Sequence, residues 1–143
     1  MITGVPDTNI WLAGIQWSGR PREIRRRAER GEVALATSLE ILSELMHVLR
    51  DYFGYSDEEA YEWYVTLGEL CTVVQPQERV EAVPDDPDDN KFLECALAAN
   101  AQYVVSRDWD LLRVRRYREV EIVDDEQFLA ILEGTSGGST NPT

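Results

Sequence analysis

Four acidic residues in this sequence each lie at the edge of an apolar segment rather than within a polar loop. Asp7 and Asp108 each follow a short apolar run that is typical of a buried strand. Glu44 and Asp89 belong to segments with the apolar spacing of a helix. Like charges at close range repel and raise one another's pKa, so a fold that gathers these acids must also compensate their charge.

Strand-like and helical segments alternate along the chain between these acids. Apolar runs at the following positions predict five short strands: residues 2–6, 33–36, 72–74, 103–106 and 121–123. Such alternation is typical of a parallel sheet covered by helices. In such sheets ligands bind at the carboxyl ends of the strands. Asp7 and Asp108 each closely follow a strand, so we expect both at that edge of the sheet.

Capping signals predict where several helices begin and end. Thr8 or Asn9 is expected to cap a first helix that starts near Ile10. Ser56 and Glu59 form a capping-box pattern for a later, aromatic-rich helix. A closing helix is expected over residues 125–132. The small, polar segment 134–143 has no such pattern, so we predict one domain over residues 1–133 and a disordered tail.

Length and composition restrict the class of protein. A chain of 143 residues fits one domain with a substantial core. No apolar run approaches the roughly 20 residues that span a bilayer, and the N-terminus does not resemble a signal peptide. We therefore expect a cytoplasmic protein without a membrane segment. Cys71 and Cys95 have no metal-binding spacing and are expected to be buried thiols.

A net charge of −13 argues by itself against a nucleic-acid partner. The basic residues are clustered, however, and nearly all are arginines, whose fork of donors suits phosphate. The first cluster comprises Arg20, Arg22, Arg25, Arg26, Arg27 and Arg30, and the second comprises Arg107, Arg113, Arg115, Arg116 and Arg118. Both clusters could equally be solvated helix faces with intrahelical pairs such as Glu23–Arg27 and Arg25–Glu29.

The residue types around the four acids favour a hard divalent cation. All-oxygen ligation suits Mg²⁺ or Mn²⁺ rather than zinc. Taken singly, each acid could instead be a helix cap or a solvated residue. Glu44 is the hardest to explain in that way, because it lies beside Leu45 in the middle of a helical pattern. Four such acids in one chain are unlikely to be a coincidence.

The order of these motifs resembles that of PIN domains, a family of metal-dependent nucleases, and within it the VapC-like toxin components of toxin–antitoxin pairs. The resemblance covers residues 1–133 and rests on four successive motifs. They are Asp7-Thr8-Asn9, Ser43-Glu44-Leu45, the Asp86-Pro87 loop running into Asp89-Asn90-Lys91-Phe92-Leu93, and Ser106-Arg107-Asp108. The resemblance implies a three-layer α/β/α fold around a central parallel sheet of four to five short strands.

The resemblance also implies roles for individual residues. The acids that bind one or two Mg²⁺ or Mn²⁺ ions and carry catalysis would be Asp7, Glu44, Asp89 and Asp108. Supporting residues would be Thr8 or Asn9, which orient the first acid, together with Ser106 and Asp110. Asp88 competes with Asp89 for the third position, and Asp89 is preferred because the apolar residues after it then face the core. The implied activity is endonucleolytic hydrolysis of RNA.

Partners and substrate contacts follow from the same resemblance and from the arginine clusters. We expect an RNA substrate, a small antitoxin protein and a homodimer. Substrate-binding residues are predicted to be Arg107, Arg20 and Arg22. Of the four tryptophans, Trp109 is the exposed candidate for base stacking, while Trp11, Trp17 and Trp63 are assigned to the core or to a dimer interface.

Two other functions remain as alternatives. A metal-dependent phosphoryl-transfer protein also carries acids at strand ends, but it needs an Asp-x-Asp start or a lysine after a late strand. The sequence Asp7-Thr8-Asn9 lacks the former, and no lysine follows residues 103–106. A catalytically silent PIN module would act only as a binding partner. The presence of all four acids gives no reason to favour it.

Overall fold

The computed structural model describes the backbone of residues 1–140 and the side chains of residues 1–134. The strands are β1 (Thr3–Pro6), β2 (Ala34–Thr37), β3 (Thr72–Val73), β4 (Tyr103–Val105), β5 (Arg116–Tyr117) and β6 (Val120–Val123). The helices are α1 (Thr8–Gln16), α2 (Arg20–Glu29), α3 (Leu39–Phe53), α4 (Asp57–Leu70), α5 (Asn90–Ala99), α6 (Trp109–Leu112) and α7 (Asp125–Thr140). A single 3₁₀ turn, Pro87–Asp89, leads into α5.

Within the described residues the strands form one sheet in the order β3-β2-β1-β4-β6-β5. Every pair is parallel except β5 with β6, so the predicted α/β class with a central parallel sheet is confirmed. The sheet has six strands rather than the four to five expected. The additional strand, β5, has two residues and pairs through a tight hairpin in which Arg118 has a φ of 53°. Two residues are too few to show a strand pattern in the sequence.

The order in which strands are added to the sheet reverses between β1 and β4. From β1 the chain moves through β2 to β3 at one edge, whereas from β4 it moves through β6 towards the other edge. Because parallel crossovers are right-handed, these two directions place helices on opposite faces of the sheet. The crevice at such a switch point, outside the carboxyl ends of the strands, is where ligands bind in open α/β sheets. Asp7 and Asp108 follow the two strands that border this crevice.

Asp7 itself caps helix α1, rather than Thr8 or Asn9 as the sequence suggested. Its Oδ1 accepts a hydrogen bond from the backbone N–H of Ile10 at 2.9 Å, and α1 therefore begins at Thr8. The strand β1 ends one residue earlier, so the chain turns directly from strand to helix at the acid. The predicted capping box of α4 is confirmed, with Ser56 and Glu59 bonded reciprocally.

Helix α7 packs tightly against the first strand. A Cβ atom at Gly4 would lie 2.7 Å from Cζ of the fully buried Phe128, so only glycine permits this approach. The helix extends beyond the predicted end at residue 132. The predicted domain boundary and disordered tail remain predictions, because residues 141–143, and the side chains from residue 135 onward, lie outside the described part of the chain.

The exposure of individual side chains agrees with most assignments. Cys71 and Cys95 are buried free thiols, and burial raises the pKa of each to about 12. Trp109 is exposed and Trp11 is buried, as expected. Trp17 is not part of the core, because α1 ends at the preceding residue and turns this side chain into solvent. Among the described residues, no helix combines the length and apolar character that crossing a membrane requires.

Candidate metal centre

A cavity of about 220 Å³ opens at the carboxyl ends of β1 and β4. It is lined by Asp7, Thr8, Asn9, Glu44, Val48, Asp86, Asp88, Asp89, Phe92 and Asp108. The fold thus brings together all four acids that the sequence singled out, from β1, α3, the turn before α5 and the end of β4. The roles assigned to these residues remain predictions.

Asp7 is a buried acid at the floor of this cavity. Its pKa is raised from 3.8 to about 6, mainly by burial and also by the nearby charge of Asp108. Hydrogen bonds from the Ser106 hydroxyl and from the backbone N–H of Ile10 act in the opposite direction. The Ser106 oxygen also accepts a bond from the N–H of Asp108 at 2.9 Å. Ser106 therefore connects the two acids at the switch point.

Three acids lie close enough to share one ion, and we call Asp86, Asp89 and Asp108 the three-acid cluster. One carboxylate oxygen from each lies within 4.8 Å of the others. The pKa of Asp89 is raised from 3.8 to about 8, mainly by burial and also by the neighbouring acids Asp86 and Asp108. Asp108 is oriented by its own turn, because its Oδ1 accepts from the N–H of Asp110 at 3.0 Å. Asp110 thus supports the cluster through its backbone.

The segment that carries Asp86 and Asp89 is held in place by Asn90. The side-chain oxygen of Asn90 accepts hydrogen bonds from the N–H groups of Ala82 and Val83 at 2.9 and 3.0 Å. Its amide group donates to the carbonyl oxygen of Pro87 at 2.9 Å. One buried side chain therefore fixes both ends of the acidic loop against the start of α5.

Glu44 lines the cavity but is bonded differently from the other acids. One oxygen accepts a hydrogen bond from the Thr8 hydroxyl, and Oε2 lies 2.6 Å from Nζ of Lys91. Lys91 also binds Asp88 at 2.8 Å, which lowers the pKa of Asp88. Asp88 and Asp89, which compete for one role in the sequence, therefore point in different directions. Asp88 pairs with the lysine, and Asp89 belongs to the three-acid cluster.

The residues present fit a divalent cation. Asp89 is only 9% exposed, and its Oδ2 has no hydrogen-bond partner within the described chain. An unpartnered buried carboxylate oxygen is costly unless a cation binds it. The neighbouring groups that could coordinate an ion are carboxylate oxygens, which are the ligands that Mg²⁺ and Mn²⁺ prefer. The three-acid cluster could therefore hold such an ion, and Asp7 lies beside it.

Two arginines are fixed at the edge of this centre by one buried acid. Asp125, at the start of α7, is 2% exposed. Arg107 donates to both of its oxygens, from Nε at 3.2 Å and from Nη2 at 2.5 Å, and Nε of Arg20 donates at 3.4 Å. Burial alone would raise the pKa of Asp125, but these two arginines outweigh it and the pKa lies below its usual value. Both arginine side chains remain about half exposed.

The other arginines of the first cluster have mainly structural partners. Arg22 donates from Nε and Nη2 to the carbonyl oxygens of Gly14 and Ile15, each at 3.1 Å, and so caps the end of α1. The expected intrahelical pairs Arg25–Glu29 and Glu23–Arg27 are both present. Most of this cluster is therefore the paired helix face that the sequence left open as an alternative.

Sequence reasoning did not identify three residues that the fold places at or beside the centre. Asp86 belongs to the Asp86-Pro87 loop, but the sequence pattern assigns it no role. Lys91 had one signal, because it is the single lysine among 14 basic residues and lies on an apolar helical segment. Asp125 reads as an ordinary acid in the first turn of a helix, so nothing local distinguishes it.

Comparisons with known proteins agree with this geometry. A family model described as "PIN domain" matches residues 4–110. PAE2754 from Pyrobaculum aerophilum is similar in structure, with a TM-score of 0.61, 13% identity and coverage of 93% of this chain and 96% of that chain. VapBC-1 from nontypeable Haemophilus influenzae has a TM-score of 0.61, 17% identity and coverage of 87% and 99%. No curated protein matches the sequence significantly. The structural matches support the fold alone.

Proposed function

The chain belongs to the PIN domain family, and on this premise we propose that it is a divalent-metal-dependent endoribonuclease and the toxin of a toxin–antitoxin pair. The observation that carries the proposal is the three-acid cluster with the unpartnered buried oxygen of Asp89. PIN domains are generally nucleases, and the carboxylates that line the cavity of this chain suit such chemistry. We place the protein in the cytoplasm, where its RNA substrate is available.

The chain's own residues prepare the site for phosphodiester hydrolysis. A bound Mg²⁺ or Mn²⁺ ion supplies activation of water and neutralisation of the charge that develops on the phosphate. Asp86, Asp89 and Asp108 would hold the ion, and the hydrogen bonds of Ser106 hold Asp7 and Asp108 beside it. Asp7 remains available to accept a proton, because its burial brings its pKa to about 6. Thr8 and Asn9 border the same cavity and complete its polar lining.

Substrate contacts are proposed for the arginines at the edge of the centre. Arg107 directly precedes Asp108, and Arg20 is held beside it by Asp125. Asp125 engages Nε and Nη2 of Arg107, so Nη1 is free of that carboxylate and can donate to an RNA phosphate. Such local contacts are necessary because a chain of charge −13 repels RNA at long range.

Protein partners are proposed from the family and from exposed aromatic residues. The similarity to VapBC-1 supports a small antitoxin protein as the inhibitor. Helices α3 and α4 expose Tyr52, Phe53 and Tyr61, residue types that are enriched at interface centres. We therefore propose a homodimer. A monomer by light scattering at micromolar concentration would count against it, and the absence of an adjacent antitoxin gene would count against the inhibitor.

The products of cleavage test the reaction type. Labelled RNA should be cut only with Mg²⁺ or Mn²⁺ and should carry 5′-phosphate and 3′-hydroxyl ends. The described residues that line the cavity include no histidine to take a proton from the ribose 2′-hydroxyl, so water is the expected nucleophile. Mass spectrometry of the fragments identifies the ends. A 2′,3′-cyclic phosphate, or loss of cleavage on 2′-deoxy substitution at the cut site, would exclude this mechanism.

The arginine contacts can be tested by salt dependence. Arg107→Ala should weaken RNA binding about equally for all sequences, because phosphate contacts carry no base information. It should also lower the slope of log affinity against log salt by roughly 0.7 for a single-stranded RNA. Binding is measured in Ca²⁺, where cleavage should be slow, across a salt series. Arg20→Ala should behave in the same way.

Two other variants act as controls for this measurement. Arg30→Ala removes the same charge from an exposed position that pairs with Glu23 and Glu32, so it should leave the slope unchanged. Arg22→Ala should lower the melting temperature rather than the slope, because Arg22 caps α1. If Arg107→Ala keeps the affinity and slope of the parent protein, the RNA path lies elsewhere.

A further inference from the structure

We propose that Lys91 is a built-in counter-ion for Glu44 and Asp88, and that the site therefore takes one divalent cation, at the three-acid cluster, rather than two. The inference rests on the proposed metal dependence and deepens it. It assigns Lys91 a positioning role and removes Glu44 from the set of ligands. The positive charge of Lys91 helps to explain how six acids can line one small cavity.

The geometry of Lys91 is that of a permanent ion pair. Its side chain is 4% exposed, and Nζ lies 2.6 Å from Oε2 of Glu44 and 2.8 Å from Oδ2 of Asp88. An ammonium group buried to this extent is stable only while it is paired, and loss of one partner from a buried pair is strongly destabilising. Lys91 therefore cannot readily release Glu44 to a metal ion.

The second oxygen of Glu44 is also engaged, by the hydroxyl of Thr8. Both oxygens of Glu44 thus have donors, in contrast to the unpartnered Oδ2 of Asp89. Asp7 is likewise engaged, by Ile10 and Ser106. The unpartnered buried carboxylate oxygen of the described residues, Oδ2 of Asp89, therefore lies in the three-acid cluster.

The spacing of that cluster suits a single ion. Its oxygens lie within 4.8 Å of one another, so side-chain shifts of less than about 1 Å would bring all three to a coordination distance of about 2.1 Å from one cation. A two-metal site needs a second ion roughly 3.5–4 Å away, with ligands of its own. On the Glu44 side of the cavity the ammonium group of Lys91 is bonded to Glu44 and Asp88, and its positive charge would repel a second cation there.

The number of bound ions tests the inference without an activity assay. Mn²⁺ is titrated into the purified full-length protein at pH 8 without RNA, and free Mn²⁺ is followed by electron paramagnetic resonance. The parent protein should bind one ion per chain. Lys91→Met keeps much of the shape of the side chain, removes its charge and frees Glu44 and Asp88, so it should bind two. Lys91→Arg keeps the charge and should bind one.

A second variant keeps the test decisive if Lys91→Met does not fold. Glu44→Gln should still bind one ion, with an affinity within about threefold of the parent value, whereas Asp89→Asn should lose at least about tenfold. Two ions on the parent protein, one ion on a folded Lys91→Met, or a loss in Glu44→Gln equal to that in Asp89→Asn would each overturn the inference but leave the proposed ribonuclease function intact. No Mn²⁺ binding at all would overturn both.

Discussion

Asp89→Asn should lower the rate of metal-dependent RNA cleavage by at least about 10²-fold while leaving the fold intact. The substitution keeps the shape of the side chain but removes the charge of the acid at the centre of the three-acid cluster. A bound cation contributes several kcal/mol to transition-state stabilisation, and each 1.4 kcal/mol corresponds to a factor of ten in rate. Single-turnover cleavage of labelled RNA in Mg²⁺ or Mn²⁺ measures the effect.

Matched variants separate this effect from a general loss of acidic charge. Asp7→Asn and Asp108→Asn should also remove most of the activity. Asp57→Asn changes the same residue type at an exposed position in the first turn of α4, so cleavage should be unaffected. Circular dichroism establishes that each variant is folded. Full activity in folded Asp7, Asp89 and Asp108 variants would refute the assignment of the centre.

The stability of the metal-free protein should fall as pH rises from about 4 to about 8. Asp89 has a pKa of about 8 in the folded protein and Asp7 a pKa of about 6, mainly because both are buried, against about 3.9 in an unfolded chain. Between these values the folded state holds more protons than the unfolded state, so folding is penalised as they are released. The penalty is absent below about pH 4 and complete above about pH 8.

Asp89→Asn should remove most of this fall in stability above pH 6, because Asp7, with a pKa of about 6, is already mostly deprotonated there. At pH 8 without metal, relief of ~1–2 kcal/mol would raise the melting temperature of the variant above that of the parent by roughly 3–6 °C. Saturating Mg²⁺ should stabilise the parent protein at pH 8, since the ion binds the deprotonated acids, and should have little effect on the variant. Melting curves at pH 4, 6 and 8, with EDTA or Mg²⁺, measure this.

A parent protein whose metal-free stability is constant between pH 6 and 8 would show that Asp89 titrates like a solvent-exposed acid. So would an Asp89→Asn variant that melts at the same temperature as the parent at pH 8. Asp57→Asn again provides the control, because it removes an exposed carboxylate on α4 that does not line the cavity.

Local sequence patterns were enough to predict the elements and their order. Strands with two or three successive apolar residues, and helices with caps such as the Ser56–Glu59 box, carry signals that depend on neighbouring residues alone. The placement of Asp7 and Asp108 at one edge could also be predicted, because both closely follow parallel strands. The two-residue strand β5 could not be predicted in this way, because it forms only by pairing with β6.

The partners of the acids were decided by the tertiary structure. Glu44 and Lys91 are 47 residues apart, and Asp125 is 18 residues from Arg107 and 105 from Arg20. No local pattern encodes such pairs, because they form only when separate elements pack on one sheet edge. The sequence by itself thus indicated four of the acids that line the cavity, but not Asp86. Only the packing of α3, α5 and α7 decided which of them meet a lysine or an arginine and which keep an oxygen free, because burial and through-space charge depend on the folded chain.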